Sequence, residues 1–166
     1  IAASLNRGVL DAGFLRDGGP IDGLHVETIF SEPFVAVLPK THRLAARSAI
    51  SPADLRDEPF VFFTPGAGKL AYDKPMSMFE EHGFRPHVVQ EAPQWLTILR
   101  LVGAGLGVSV GPACTRQIAV PNIVCPGLRG ASVSSDIELA YRENEDRAVV
   151  AAFADVVRKD FRGKHR

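Results

Sequence analysis

Residues 93–110 constrain the fold most strongly, because they encode a helix, a stop signal and a strand in immediate succession. The predicted helix covers residues 94–104, and Gly105 and Gly107 end it. The apolar run at 108–110 then has the composition of a buried strand. One face of the helix is apolar, because large side chains recur at i, i+3, i+4 and i+7: Trp95, Ile98, Leu99 and Val102.

A second strand–helix–strand unit precedes this segment. Residues 60–63 form a continuous apolar run, which is typical of a strand covered on both faces. A glycine-rich loop at 64–68 leads to a helix at about 72–82, and a further strand is predicted at 86–90. Since strands alternate with helices, the pattern predicts an α/β fold with a mostly parallel sheet.

The flanking regions contribute shorter elements. Residues 1–8 are interpreted as the end of a helix stopped by Gly8, and residues 9–15 as a buried strand. Because the chain starts inside a helix, we expect a segment upstream of Ile1. Two strands are predicted at 24–29 and 34–38, interrupted near Pro33. Ser51 is the expected N-cap of a short helix that has proline at its first position.

The C-terminal part is predicted to contain strands at 123–124 and 137–141, followed by a helix at 145–161. The apolar side of this last helix is expected to carry Val149, Phe153, Val156 or Val157, and Phe161.

Composition excludes several classes of protein. Basic and acidic residues number 19 each, so the chain lacks the positive excess of a free-standing nucleic-acid binder. The two cysteines are too few for a disulfide-scaffolded secreted domain. No apolar run approaches the roughly 18 residues of a membrane span, and the first residues lack the pattern of a secretory signal. A soluble, cytoplasmic protein is therefore predicted.

Four segments, read in order, are similar to the effector-binding domain of LysR-type transcriptional regulators. They are NRGVLDAGF at 6–14, EPFVAVLP at 32–39 with HRLA at 42–45, ISPADL at 50–55 with PFV at 59–61, and TILRLVGAGLGVSVGP at 97–112. The last is the most specific. Arg43 departs from the pattern, because the family has proline at that position. The four segments together span almost the whole chain.

The resemblance implies a type 2 periplasmic-binding-protein-like fold, in which two Rossmann-like lobes are joined by two crossing strands. The first lobe would comprise residues 1–31 and 136–166, and the second would comprise residues 32–135. In the family, a strand–helix–strand unit precedes the helix that ends here at Gly8, and a winged helix-turn-helix lies further upstream. Neither is expected in this chain, so we expect the first lobe to be incomplete.

In the family, effectors bind in the cleft between the lobes. Open α/β sheets in general bind ligands beyond the carboxyl ends of their strands, near helix N-termini. Glycines in the 64–72 loop would let backbone amides form an anion-binding nest. The residues predicted to contact the ligand are Phe14, Arg16, Thr64, Gly66, Gly68, Lys69, Leu70, Ala71, Gln94 and Trp95.

Arg16, Lys69 and Trp95 differ in what they imply about the ligand. Arg16 suits an anionic effector, because a guanidinium can bind a carboxylate through two hydrogen bonds; it could equally be a solvent-facing loop residue. Lys69 begins Lys-Leu-Ala where regulators of aromatic catabolism have Pro-Asn-Phe, and this difference argues against an aromatic acid as effector. Trp95 could cap the cleft or belong to the core.

The resemblance also implies partners. The expected ones are a small, anionic effector and further copies of the protein, as a homodimer or tetramer in the full-length form. DNA contact would occur only through the absent N-terminal helix-turn-helix. No cofactor, metal or membrane partner is predicted.

The sequence leaves three alternative functions to consider against this one: an enzyme, a cysteine redox switch and a periplasmic solute-binding protein. An enzyme is disfavoured, because no nucleophile elbow, HExxH pair or phosphate loop is present and the five histidines lack metal-ligand spacing. A peroxide-sensing cysteine pair is disfavoured, because the corresponding region, 66–83, has no cysteine; Cys114 and Cys125 are interpreted as inert thiols. A fragment of a periplasmic solute-binding protein would share the fold, and an upstream signal peptide would distinguish it.

Overall fold

The computed structural model describes residues 1–164; His165 and Arg166, which fall in the predicted first lobe, lie outside the described residues. In chain order its helices and strands are α1 (Ala2–Asn6), β1 (Ala12–Arg16), β2 (Leu24–Pro39), β3 (Ala49–Ile50), β4 (Pro59–Phe63), α2 (Lys69–Glu81), β5 (His87–Ala92), α3 (Trp95–Gly103), β6 (Ser109–Pro112), β7 (Ile123–Val124), β8 (Gly127–Leu128), β9 (Ser134–Arg142) and α4 (Ala148–Lys164). Three short 3-10 helices lie at Pro52–Leu55, Pro65–Ala67 and Ala113–Gln117.

The chain forms two compact units. The first comprises Ile1–Ser31 together with the chain from Asp136 onwards, and the second comprises Glu32–Ser135. Strands β2 and β9 each continue from one unit into the other. The first unit contains α1, β1, α4 and the parts of β2 and β9 that fall in its residue ranges, and the second contains the other elements.

In the first unit, β1 is antiparallel to β9, with Ala12 opposite Tyr141 and Arg16 opposite Ile137. Its buried residues form two small groups. One group contains Leu5, Leu24 and Ala140, and the other contains Leu139, Ala154 and Val157.

In the second unit, β4 and β5 are parallel, and Phe60 of β4 forms a parallel bridge with Val108. Helices α2 and α3 pack on this sheet with different apolar groups. Phe60, Phe62 and Phe79 belong to one core cluster with the α2 side chains. The α3 stripe belongs to the other, whose buried members are Val37, Val61, Ala92, Ile98, Leu99 and Val102. The apolar stripe predicted for α3 is therefore confirmed at Ile98, Leu99 and Val102.

The prediction of a mostly parallel sheet is wrong. β1 pairs with β9 in antiparallel orientation, and β2 does the same with β6, β7 and β8. Parallel pairing is found for β3 with β8 and for β4 with β5. The alternation of strands and helices is found in residues 59–112, whereas β2 and β9 pair with short antiparallel neighbours that the alternation rule does not describe.

The two strands predicted around Pro33 are one continuous strand, β2. Its ladder with β6 begins at Phe34, one residue after the proline. The missing N–H of Pro33 therefore costs no hydrogen bond of that ladder. The strand predicted at residues 9–15 is also shifted: β1 begins at Ala12, and Val9 is 70% exposed because it follows the left-handed turn at Gly8.

The apolar side predicted for the last helix is also wrong in part. Val149 and Phe153 are exposed, whereas Val150 and Ala154 are buried. Of the two alternatives Val156 and Val157, Val157 is buried and Val156 is exposed. Phe161 packs against the core, as predicted. The helix carries two overlapping apolar stripes one residue apart, and the stripe that contains the small Ala154 lies against Leu139 of β9.

The helix ends agree more closely with the sequence. Ser51 caps the first short 3-10 helix, and a reciprocal bond from the Ser51 N–H to Asp54 completes a capping box. Helix α2 begins at Lys69, three residues before the predicted start at 72. Across the described residues, no helix is both long and apolar enough to cross a membrane.

Candidate functional site

Two parallel strands end side by side in the second unit. Phe63, the last residue of β4, lies opposite Ala92, the last residue of β5. The N–H of Thr64 donates to the carbonyl of Ala92 at 3.2 Å, which continues the pairing one step further. The segments that follow the two strands therefore leave the sheet at the same edge, and each leads into a helix.

The first of these segments leads into α2. A short 3-10 helix at Pro65–Ala67 follows Thr64, and Gly68 has extended backbone before α2 starts at Lys69. The N-cap residue of α2, Gly68, provides no side-chain cap, and the first backbone bond of the helix runs from the Tyr72 N–H to the Gly68 carbonyl. The first amides of the helix thus have no partner within it, which is the arrangement that binds anions at helix N-termini.

The predicted nest is not formed in this loop. Neither Gly66 nor Gly68 has the left-handed φ that the alternating nest conformation requires. A Cβ on Gly66 would meet nothing within 4 Å, so this glycine leaves open space rather than a special backbone geometry.

The side chains at the start of α2 differ in their exposure and in their ion pairing. Lys69 is exposed, and its Nζ lies 2.5 Å from Oδ2 of Asp73, one helical turn later. Leu70 and Ala71 are half-buried. The charge of Lys69 is therefore already paired within its own helix, although an exposed pair of this kind is weak and can be broken by a competing anion.

The second segment leads into α3. Gln94 is exposed, has extended backbone and precedes the first helical residue, Trp95. The helix start has no side-chain cap, and the Gln94 carbonyl accepts the first two helical bonds, from Thr97 and Ile98. A second uncapped helix N-terminus therefore lies at the same edge of the sheet.

Trp95 is half-buried and forms part of the wall at this edge. Its indole stacks on the ring of Phe63, with ring centroids 5.4 Å apart and planes inclined by 21°. Gly111 lies on another side of the indole, where a Cβ would be 3.1 Å from Cζ3 of Trp95. Phe63 and Gly111 were not among the predicted site residues. The position of Phe63 at the end of a buried strand was the one signal that indicated it.

Two predicted ligand residues, Phe14 and Arg16, lie in the first unit. They are two positions apart on β1, so they face the same side of the strand. The ring of Phe14 is 6.2 Å from that of Phe153 in α4. Arg16 is half-buried at the end of β1. The other eight predicted residues lie in the second unit, in the two segments described above.

Metal binding and thiol chemistry have less support in the described part of the chain. It contains no group of three or more His, Cys, Asp or Glu side chains that could hold a metal ion. Cys114 and Cys125 are half-buried. Burial raises the pKa of the Cys125 thiol, which disfavours the reactive thiolate.

Comparison with known proteins gives a consistent result. The model of the LysR substrate binding domain matches residues 1–162. The HTH-type transcriptional regulator AlsR of Bacillus subtilis (strain 168) is 30% identical over 152 residues, which cover 92% of this chain and 50% of AlsR. The chain thus spans about half the length of the curated relatives that it matches.

Solved structures agree in fold. The BenM effector binding domain with its effector benzoate has a TM-score of 0.81 at 23% identity, and the match covers 98% of this chain and 74% of that one. Full-length CbnR in complex with its target DNA has a TM-score of 0.86 at 23% identity, and the match covers 96% of this chain and 56% of CbnR. The type 2 periplasmic-binding-protein-like α/β fold expected from the sequence is thereby confirmed.

Proposed function

This chain belongs to the LysR substrate binding domain family, and we propose that it is the small-molecule sensor of a longer transcriptional regulator. The match of the family model to residues 1–162 carries this conclusion. It agrees with the resemblance found in the sequence, and the relatives are named as transcriptional regulators. Both findings favour the regulator over the periplasmic solute-binding alternative.

The role of the longer protein follows from this proposal. DNA contact is assigned to a helix-turn-helix outside these 166 residues, which agrees with the zero net charge of the chain and with the HTH-type names of its relatives. The regulator is proposed to act in the cytoplasm as a homodimer or tetramer. Catalysis is not part of the proposal.

We further propose that the effector is anionic. Two uncapped helix N-termini, those of α2 and α3, follow neighbouring strand ends in the second unit, and the positive end of each helix dipole favours negative charge. The related BenM domain has benzoate, a carboxylate, as its effector. The proposed contacts in this unit are Thr64, Gly66, Gly68, Lys69, Leu70, Ala71, Gln94 and Trp95.

Phe14 and Arg16 are the proposed contacts of the first unit. Arg16 supplies a cation that is half-buried at a strand end, where its guanidinium could bind a carboxylate more strongly than a fully hydrated side chain would. Phe14 offers an apolar surface on the same side of β1.

The anionic preference can be tested on the full-length regulator by its unfolding temperature. Small aliphatic carboxylates would be paired with their neutral amides, for example propionate with propionamide. A ligand that binds only the folded state raises the unfolding temperature by mass action. At least one carboxylate is expected to do so while its amide does not. Equal effects of acid and amide would contradict an anionic effector.

The location of the proposed effector site can be tested by adding a negative charge at the start of α3. Gln94→Glu adds a carboxylate at the N-terminus of α3, which stabilises the helix through its dipole but repels an anion. We expect binding of the carboxylate to weaken by about two- to tenfold. Gln90→Glu, on an exposed position of β5, is the matched control. Equal losses in both variants would argue for a general charge effect and against this site.

A further inference from the structure

The turn that follows β1 is held by an internal carboxylate. The N–H of Gly18 donates to Oε2 of Glu138 at 2.7 Å. The N–H of Gly19 donates to both carboxylate oxygens, at 3.2 Å and 3.3 Å. Gly19 has a left-handed φ of 63° and Asp17 has a φ of 50°. Successive backbone N–H groups in such a turn form a concavity that binds anions, and here the anion is the protein's own side chain.

Glu138 is placed for this role by the strand register. It lies directly opposite Leu15 in the β1–β9 ladder. A Cβ on Gly18 would be 3.1 Å from Oε2 of Glu138 and 3.0 Å from Cδ1 of Leu15, so the turn packs closely against both side chains. Glu138 is only 7% exposed. A carboxylate with so little access to water needs hydrogen bonds that replace its hydration, and the two glycine amides supply them.

A second pair of contacts fixes the same turn to β9. The N–H of Asp17 donates to the Asp136 carbonyl at 2.9 Å, and Oδ1 of Asp17 accepts the N–H of Asp136 at 2.8 Å. Asp17 is 5% exposed. The three residues after Arg16 are therefore bonded to β9 through both backbone and side chains, with charge-assisted bonds to the carboxylates of Glu138 and Asp17.

We infer that Glu138 is a positioning residue for Arg16. By filling the concavity formed by the Gly18 and Gly19 amides, it fixes the turn that follows Arg16 directly at the end of β1. This inference rests on the proposed function only in that Arg16 contacts the effector. It also means that the Gly18 and Gly19 amides are occupied by the protein itself and take no part in effector binding.

Removal of the carboxylate should leave a vacant anion site that a small carboxylate can occupy. Glu138 and Gly19 line one side of an open hollow of about 670 Å³ in the first unit. Formate could therefore reach the two amides from solvent in a Glu138→Ala variant.

The experiment is amide hydrogen exchange of residues 15–20 on the intact chain, with and without formate. In Glu138→Ala, exchange at Gly18 and Gly19 should accelerate by about tenfold or more, as expected when a charge-assisted bond is lost. Formate should return it towards the wild-type rate. Glu143→Ala, which removes an exposed carboxylate lining the same hollow, should change neither rate.

Glu138→Gln provides a second test if the alanine variant does not fold. Its amide retains one acceptor oxygen in the same place, so exchange should accelerate less and formate should have no effect. Unchanged exchange in both Glu138 variants would overturn the inference, and so would formate slowing exchange equally in the wild type. If Glu138→Ala loosens the turn but Arg16→Ala leaves carboxylate binding unchanged, the positioning role stands and the ligand role of Arg16 falls.

Discussion

The indole of Trp95 lies against the backbone of Gly111, so closely that a Cβ at Gly111 would be 3.1 Å from Cζ3 of Trp95. The same Cβ would be 2.9 Å from Oγ1 of Thr115. Both neighbours are held by their own contacts, Trp95 by its stack on Phe63 and Thr115 by nearly complete burial. Gly111 therefore sets the position of the aromatic wall at the edge of β4 and β5.

The first prediction concerns this glycine. Gly111→Ala should force the indole away from its stacked position and destabilise the chain by about 1–3 kcal/mol, the usual cost of overpacking. Trp95 is the only tryptophan, so intrinsic fluorescence reports its surroundings directly. We expect a shifted emission maximum in the folded variant and a lower midpoint in urea.

Gly66→Ala is the matched control, because the added Cβ would meet no atom within 4 Å. Its emission maximum should match that of the wild type, and its free energy of unfolding should differ by less than about 0.5 kcal/mol. If Gly111→Ala behaves like Gly66→Ala, the indole is not fixed by this contact.

The second prediction tests the orientation of α4 with two adjacent valines. Val157 is 7% exposed and Val156 is 64% exposed. Val157→Ala removes two buried methyl groups and should lower the free energy of unfolding by about 1.5–3 kcal/mol. Val156→Ala should change it by less than about 0.5 kcal/mol. Urea unfolding of both variants measures the difference, and equal losses would mean that the helix is rotated from the orientation described.

These two valines also show where sequence reasoning about the fold stops. In α3 one apolar stripe is present, so periodicity alone identified Ile98, Leu99 and Val102 as buried. In α4 two stripes overlap, and the choice between them depends on which one fits against Leu139. Local caps such as Ser51 were predictable, because all their contacts lie within four consecutive residues of the chain.

The candidate site likewise has a part that could be predicted from the sequence and a part that could not. The segments after β4 and β5 were predictable, since a strand end followed by a helix start is a local pattern. The bond between the Gly18 amide and Glu138 joins residues 120 positions apart, and no local pattern indicates it. Trp95 packs against the core cluster and is half-buried, and its contact with a ligand stays a prediction.

The third prediction concerns Arg16. Once a carboxylate that binds the wild type has been found, Arg16→Ala should weaken its binding by about 1–3 kcal/mol, because charge-assisted hydrogen bonds are lost. Arg16→Lys keeps the charge but loses the planar pair of donors, so it should recover only part of the loss. Isothermal titration calorimetry measures both variants. Unchanged affinity in Arg16→Ala would exclude this residue from the site.

The fourth prediction is a pH dependence of stability that arises at Glu145. Its buried side chain accepts hydrogen bonds from Arg147, at 2.7 Å from Nε and 2.7 Å from Nη2, and a further bond from Arg142. These bonds, those from Arg147 foremost, lower the pKa of Glu145 from 4.5 to about 2. Arg147 also binds Asp11 at 2.6 Å, and this bond lowers the pKa of Asp11 as well.

Because the folded-state pKa of Glu145 lies below its unfolded value, the ionised form stabilises the fold above about pH 4.5, and this contribution is lost as the pH falls towards about 2. Glu145→Gln cannot ionise. At neutral pH the wild type should therefore have a larger free energy of unfolding than Glu145→Gln. This difference should decrease steadily below about pH 4.5. Urea unfolding at several pH values measures the difference, with the exposed Glu143→Gln as control. A difference that stayed constant down to the lowest pH would show that the Arg147 and Arg142 bonds do not depend on the charge of Glu145.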